Sequence, residues 1–295
     1  MSDVIAPPSV RALALNKGID IDKLASELGR TSIAREDLDR ASGGTPAPAT
    51  AGDTYYWEVD HAQYGPVSKE PMSRFAQVAA GNLGAANSLI PQVTHHDRAD
   101  VTAIEALRRQ LRPEAQARGV KLTALAFQVK ALARCLREFP RFNASLTPDG
   151  KTLILKDYVH VGIAVDTAHG LMVPVVRDAD RKGLWQIAAE ITDLAGRAQA
   201  RKIKGEEMGG GSMTISNLGG IGGTAFTPIV NPPELAILGI TRTETVTVWE
   251  GDTPRPVPMV PLDLSYDHRV INGADAARFL STLAGLLADP RRMMV

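Results

Sequence analysis

Leu264-Ser265-Tyr266-Asp267-His268-Arg269-Val270-Ile271-Asn272-Gly273-Ala274 is the stretch on which the reading of this chain turns. An apolar strand ends in charged residues, then turns through Asn272-Gly273 into a helical pattern that begins at Ala274. The imidazole of His268 therefore stands on a turn and not inside a packed face. Taken alone, such a histidine reads as a surface or capping residue, so its neighbourhood has to decide what it does.

Outward from this point helices and strands are mixed. Helical patterns are expected over Ser73 to Ser88, Thr102 to Arg118 with Pro113 as the weak point, Leu122 to Phe139 before Pro140, Leu184 to Lys202, and Ala274 to Ala288. Extended segments are expected at Gln92 to Arg98, Thr152 to Leu155, His160 to Val165, Leu171 to Val176, Ser212 to Ser216, Leu235 to Thr241, Thr245 to Trp249 and Val260 to Tyr266. Several strands follow one another with no helix between them. That argues against a doubly wound parallel sheet and for an α/β fold whose mixed sheet carries helices on one side.

The 295 residues exceed one average domain, which favours one large unit plus something small. Basic and acidic residues number 33 each, so no global field exists to hold the chain on nucleic acid or on an anionic membrane. Cys135 is the single cysteine and lies in an apolar helical pattern. It reads as a core filler, permits no intramolecular disulfide and fits a reducing compartment. No apolar run reaches the roughly 18 residues of a membrane span, and Met1 to Pro8 lacks the features of a leader, so a cytoplasmic protein is expected.

Residues 4–41 read as a very small helical module: Ser9 can cap a helix to about Lys17, Gly18 stops it, and Asp37 lies in a short last helix. From Ser42 the Gly-, Pro- and Ala-rich sequence cannot bury anything and reads as a solvated linker. The division expected is 4–41 for the module, 42–63 for the linker and 64–295 for the large domain.

Asp267-His268-Arg269, three residues and then Gly273 resembles the active-site signature of the dihydrolipoamide acyltransferases of 2-oxoacid dehydrogenase complexes. Its His-x-x-x-Asp/Asn-Gly core is similar to that of chloramphenicol acetyltransferase. Pro71-Met72-Ser73-Arg74, Ile90-Pro91-Gln92-Val93-Thr94, Phe142-Asn143-Ala144-Ser145-Leu146, Val165-Asp166-Thr167 with Gly170-Leu171-Met172-Val173-Pro174-Val175, Thr214-Ile215-Ser216-Asn217-Leu218-Gly219, and Asp289-Pro290-Arg291-Arg292 also resemble family segments, in family order. The resemblance runs from about Tyr64 to the last residue and leans towards the pyruvate-type acetyltransferases. It implies a two-layer mixed-sheet sandwich of the coenzyme A-dependent, chloramphenicol acetyltransferase-like kind. The implied reaction moves an acyl group, acetyl first among candidates, between dihydrolipoamide and coenzyme A.

That chemistry needs a thiol to attack a thioester. A thiol is mostly protonated at neutral pH and only its thiolate attacks well, so an imidazole is suited to take the proton. The resemblance assigns that task to His268. It assigns to Ser216 the donor that stabilises the tetrahedral oxyanion, although on local grounds Ser216 also reads as a strand-end serine satisfying nearby backbone. Asn272 stands where many family members carry Asp; a neutral amide can hold the turn but cannot move a proton or balance an imidazolium. The residues that hold coenzyme A are not legible in the sequence, and no metal is expected.

The first 42 residues resemble the peripheral subunit-binding domain through Ile5-Ala6-Pro7-Pro8-Ser9-Val10-Arg11, Lys17-Gly18-Ile19-Asp20 and Arg35-Glu36-Asp37-Leu38. This implies docking of the decarboxylating dehydrogenase or of dihydrolipoamide dehydrogenase. Ser32 stands where the family has an arginine, which weakens an electrostatic docking face unless Arg30 or Arg35 replaces it. Nothing upstream resembles a lipoyl domain, so the lipoyl arm is expected from another chain. The resemblance further implies a homotrimer, with Ser216 and His268 supplied by different chains, and assembly into a cube or larger shell, for which the apolar tail Met293-Met294-Val295 is suited.

Other signals weigh less. Gly220-Ile221-Gly222-Gly223-Thr224-Ala225 matches a dinucleotide fingerprint, but Pro228, Pro232 and Pro233 leave no room for the helix such a site requires. His95-His96-Asp97 hints at a metal, yet adjacent strand histidines point to opposite faces, and His160 and His169 add no helpful spacing. A non-catalytic scaffold homologue is the alternative to an enzyme.

Overall fold

The structure, a computed structural model, describes residues 4, 6, 8–33, 37, 38, 41, 59–168 and 170–293. The chain divides into two compact units, Met1–Glu70 and Pro71–Val295.

In the first unit, α1 spans Pro8–Asn16 and α2 Ile21–Leu28. α1 begins one residue before the expected Ser9, since proline is tolerated in a first turn. Asp20 opens α2, its carboxylate accepting from the N–H groups of Asp22 and Lys23 at 2.9 and 3.1 Å; Gly29 closes it at φ 63°, a conformation that glycine adopts without strain. Val4, Val10, Ala14, Leu24, Ala25, Ile33 and Leu38 form the unit's own core. Asp37 is buried and paired with Arg30, so Arg30 serves the module's interior. Arg35 and the linker as far as residue 58 lie outside the described residues. Beyond them, across the expected boundary between linker and large domain, His61–Tyr64 form a 3-10 turn capped by Asp60.

The second unit opens with α3 (Arg74–Leu89) and β1 (Gln92–Asp100), then α4 (Thr102–Gln110), α5 (Arg112–Ala117) and α6 (Ala124–Glu138). Short strands β2 (Ala144–Leu146), β3 (Leu153–Leu155), β4 (Val161–Ile163) and β5 (Val175–Val176) follow, then α7 (Leu184–Gln199) and β6 (Met213–Asn217). β7 (Ala236–Ile240), β8 (Glu244–Glu250), β9 (Thr253–Asp267) and α8 (Gly273–Ala288) complete it. The expected helix over 102–118 is two helices because Pro113 occupies the first turn of the second. β9 starts well before the expected Val260. Its Pro254 and Pro256 share the parity of Pro258, whose carbonyl accepts from Val101 N–H on the side away from β8, so the missing N–H groups break no bond to β8.

The main sheet has seven strands in the order β1-β9-β7-β6-β4-β5, with β8 also on β9. β6 is parallel to β4 and β7, and the other pairs are antiparallel. Leu262, Leu264 and Tyr266 of β9, Met213 and Ile215 of β6, and Leu238 and Ile240 of β7 meet Ile104, Phe127, Leu132, Ile187 and Phe279 in one core. Each such side chain contributes roughly 1.5–3 kcal/mol on burial. Phe279 of α8 stacks on Phe142 at 4.2 Å and meets Phe139 edge-on at 5.5 Å, which anchors the helix that follows the His268 turn.

The strand period sends Ser216, Gly239, Asp263, Ser265 and Asp267 to the opposite face. Not all helices share the core side: Ala86 of α3 and Ile90 pack with Val230 and Ile237 on that second face. Met293 is buried in the main core, so this first residue of the tail is already committed within its own chain. No helix among the described residues is long and apolar enough to cross a membrane.

Candidate active site

His268 follows the last residue of β9, on the turn that joins β9 to α8. Asp267, 1% exposed, organises this turn. Its N–H donates to Leu235 O at 2.9 Å, and its carbonyl accepts from Val270 and Ile271 at 3.1 and 3.0 Å. Its carboxylate receives the Arg269 N–H and Nε–H, both at 3.0 Å at Oδ1, while Arg269 Nη2 donates to Oδ2 at 2.6 Å. A bidentate clamp of this kind fixes the backbone on both sides of His268.

His268 itself makes one backbone bond, its N–H to Pro91 O at 3.1 Å, and its ring centroid lies 5.8 Å from that of Tyr266. The imidazole is exposed and has no hydrogen-bond partner among the described residues. Asn272 is the N-cap residue of α8, in extended backbone at φ −89° and ψ 158°, yet its side chain makes no capping bond. Its carbonyl accepts from Asp275 and Ala276, so the amide is left available on the same turn as His268.

Ser216 lies elsewhere, near the end of β6, half-buried and with no side-chain hydrogen bond among the described residues. The next residue locks the strand end: Asn217 Oδ1 accepts from Gly219 N–H at 2.8 Å, and its Nδ2 faces Gln128 Oε1 at 3.2 Å. Ser216 is in register with Gly239, and Gly239 with Asp263. His268 is therefore two strands over, about 10 Å, and five residues along, about 16 Å, from Ser216. Within one chain Asn272 lies on the same turn as His268, and Ser216 stands apart from both.

Two features escaped the sequence reading. Glu234 stands just before Leu235, the residue that receives the Asp267 N–H, and is 4% exposed. Burial pushes its carboxyl up to about 7, against the Thr214 hydroxyl at 2.9 Å and the Lys156 ammonium, which favour the ionised form. A cavity of about 440 Å³ opens beside it, lined by Leu89, Ile90, Leu146, Glu234, Asp267 and Arg269 among others. The second is His96. It points to the face opposite His95, and its Nδ1 bonds Asp263 Oδ1 at 2.6 Å, a partner on a strand far away in the sequence. The glycine-rich stretch 220–225 runs into coil with no following helix. His160 Nδ1 accepts from Asp178 N–H at 3.0 Å, and His169 lies outside the described residues.

Residues 64–295 match the family described as 2-oxoacid dehydrogenases acyltransferase (catalytic domain). The chain is 48% identical to the dihydrolipoyllysine-residue acetyltransferase component of the pyruvate dehydrogenase complex of Pseudomonas aeruginosa, over 99% of its own length and 55% of the relative's. With the corresponding component of Azotobacter vinelandii it shares 45% identity over 99% of its length and 47% of the relative's. The chain thus spans about half the length of the curated relatives it matches. Among solved structures it is similar to the A. vinelandii dihydrolipoamide acetyltransferase, with TM-score 0.79 and 48% identity over 85% of this chain and 100% of that one. That structure was determined to probe the catalytic roles of a serine, a histidine and an asparagine, which occur there in the order and spacing of Ser216, His268 and Asn272 here. The cubic core of a pyruvate dehydrogenase multienzyme complex matches with TM-score 0.79 and 49% identity over 85% of this chain and 100% of that one. The acyltransferase fold expected from the resemblance is the fold found.

Proposed function

The chain belongs to the family of 2-oxoacid dehydrogenase acyltransferase catalytic domains, and from that premise we propose that it transfers an acetyl group between dihydrolipoamide and coenzyme A. His268 takes the proton of the attacking thiol, and the sulfur adds to the thioester carbonyl. Ser216 donates its hydroxyl to the oxyanion that forms. Collapse expels the second sulfur, which recovers the proton from His268. Asn272, whose amide makes no capping bond, serves by orienting groups beside His268 through hydrogen bonds without titrating. Coenzyme A and the lipoyl group are substrates, and no step calls on a metal.

The observation that supports this reading best is the contrast on the turn: Asp267 and Arg269 are paired with each other, while the His268 imidazole between them has no hydrogen-bond partner among the described residues. The separation of Ser216 from His268 within one chain supports a site shared across a subunit interface, and with it a homotrimer with three such sites. The likeness to a cubic core extends the proposal to a cube of such trimers. Residues 4–41 are proposed to dock a dehydrogenase partner; Arg30, already paired with Asp37, contributes little to that face.

The test is an assay of the purified chain with free dihydrolipoamide and acetyl-coenzyme A, with oligomer size measured on the same sample. Turnover is expected from the wild type, and a loss of at least about a hundredfold in His268→Ala. An assembled wild type with no turnover favours the scaffold alternative; a His268→Ala variant that keeps most of its activity removes His268 from the mechanism.

A further inference from the structure

One row of residues crosses the polar face of the sheet. Ser216 on β6 is paired with Gly239 on β7, Gly239 with Asp263 on β9, and Asp263 with His96 on β1. Paired residues share a face, so the four stand side by side at about 4.8 Å intervals. Gly239 leaves a gap in the row and Phe226 fills it. A Cβ at position 239 would lie 2.7 and 2.8 Å from Cε1 and Cζ of Phe226 and 3.1 Å from Asp263 Cβ. The ring tip therefore rests on the Gly239 backbone, one strand spacing, about 5 Å, from Ser216.

Residues 218–234 carry no helix or strand, so regular structure does not fix this ring. Asp263 does. Its Oδ2 accepts the Phe226 N–H at 3.2 Å, and its Oδ1 is bonded to His96 Nδ1 at 2.6 Å. Asp263 is 1% exposed, so losing either partner leaves a carboxylate oxygen buried and unsatisfied. The half-exposed His96 thereby holds the carboxylate in the position that holds Phe226.

We infer that Phe226, positioned by the His96–Asp263 pair, is the wall that limits the length of the acyl group this chain transfers. The inference rests on the acyl-transfer reading above. An acyl carbon whose oxygen accepts from Ser216 Oγ at about 2.7 Å has its substituent within reach of the ring. An acetyl methyl fits in that space, whereas each further methylene has to displace Phe226. Phe226 touches the acyl group; Asp263 and His96 are positioning residues that act through it.

The experiment compares kcat/KM for acetyl-, propionyl- and butyryl-coenzyme A with free dihydrolipoamide. Phe226→Ala is expected to raise the butyryl-to-acetyl ratio at least about tenfold, and Asp263→Asn and His96→Gln to raise it about threefold, with KM for dihydrolipoamide unmoved. A ratio that stays put in Phe226→Ala, or a uniform loss for all three acyl groups in the positioning variants, overturns the inference. His96→Gln changes a half-exposed side chain, so it reports even if Asp263→Asn folds poorly. Backbone hydrogen exchange gives a readout independent of turnover: the Phe226 amide should be protected in the wild type and exchange at least about tenfold faster in His96→Gln. Equal protection in both breaks the proposed link. An inactive wild type refutes the acyl-transfer reading and the wall with it, while the exchange data still separately decide whether the pair positions Phe226.

Discussion

Glu234 offers a pH test of the packing behind the His268 turn. Its carboxyl is 4% exposed, Oε1 accepts from Thr214 Oγ1 at 2.9 Å, and Oε2 is buried with no hydrogen-bond partner among the described residues. A Cβ at Gly211 would collide with Oε1, so a glycine there is what admits the carboxyl. The Lys156 ammonium helps the ionised form, but it is itself partly desolvated and donates to Gly211 O at 2.8 Å. Burial wins, and the carboxyl titrates at about 7 where the ordinary value is 4.5. The folded protein thus holds this proton more tightly than the unfolded chain does. The resulting stabilisation is complete below 4.5 and is lost as pH rises through about 7. Between pH 5 and 8 the loss is about 2–3 kcal/mol. Glu234→Gln has no proton to lose in that range, so its unfolding free energy relative to wild type should move by that amount in the variant's favour from pH 5 to pH 8. Urea titrations at each pH measure it, with a constant slope confirming the same unfolding reaction. Parallel curves, within about 0.5 kcal/mol across the range, would refute the claim that the buried carboxyl is protonated near neutrality.

Removing the clamp on the turn should be costly even though Arg269 is 44% exposed. Arg269→Met strips three contacts from the buried Asp267 carboxylate, and a loss of about 2–3 kcal/mol is expected by urea unfolding, somewhat below a fully buried pair. Ser216→Ala should lower kcat by about a hundredfold or more while leaving stability within about 0.5 kcal/mol, because its hydroxyl makes no hydrogen bond among the described residues. A large stability loss in that variant would make Ser216 a structural residue. Cys135 is fully buried, and burial pushes its thiol up to about 12, so a chromogenic disulfide reagent should label it only on unfolding. Rapid labelling of the native protein would show that α6 opens locally.

Local signals sufficed for elements whose cause is local. The end of β9, the Asn272-Gly273 turn and the start of α8 are legible in eleven or so consecutive residues because strand period, turn chemistry and helix period all change there. The motif-bearing segments likewise carried the family and its fold. A single proline already marked the weak point where 102–118 divides, although whether the chain would kink or break there depended on its packing.

Register was the part that only tertiary structure decided. His96 and Asp263 are 167 positions apart, and a one-residue slip of β1 on β9 would set a leucine opposite the histidine. Glu234 shows the same limit, since its raised carboxyl depends on Gly211, Thr214 and Lys156 closing around it from other segments. The sequence by itself determined which side chains could carry thiol and acyl chemistry. Their separation, their burial and the company they keep come from strand pairing across distant segments, because the energies that select one register are summed over the whole buried face and reside in no single stretch of chain.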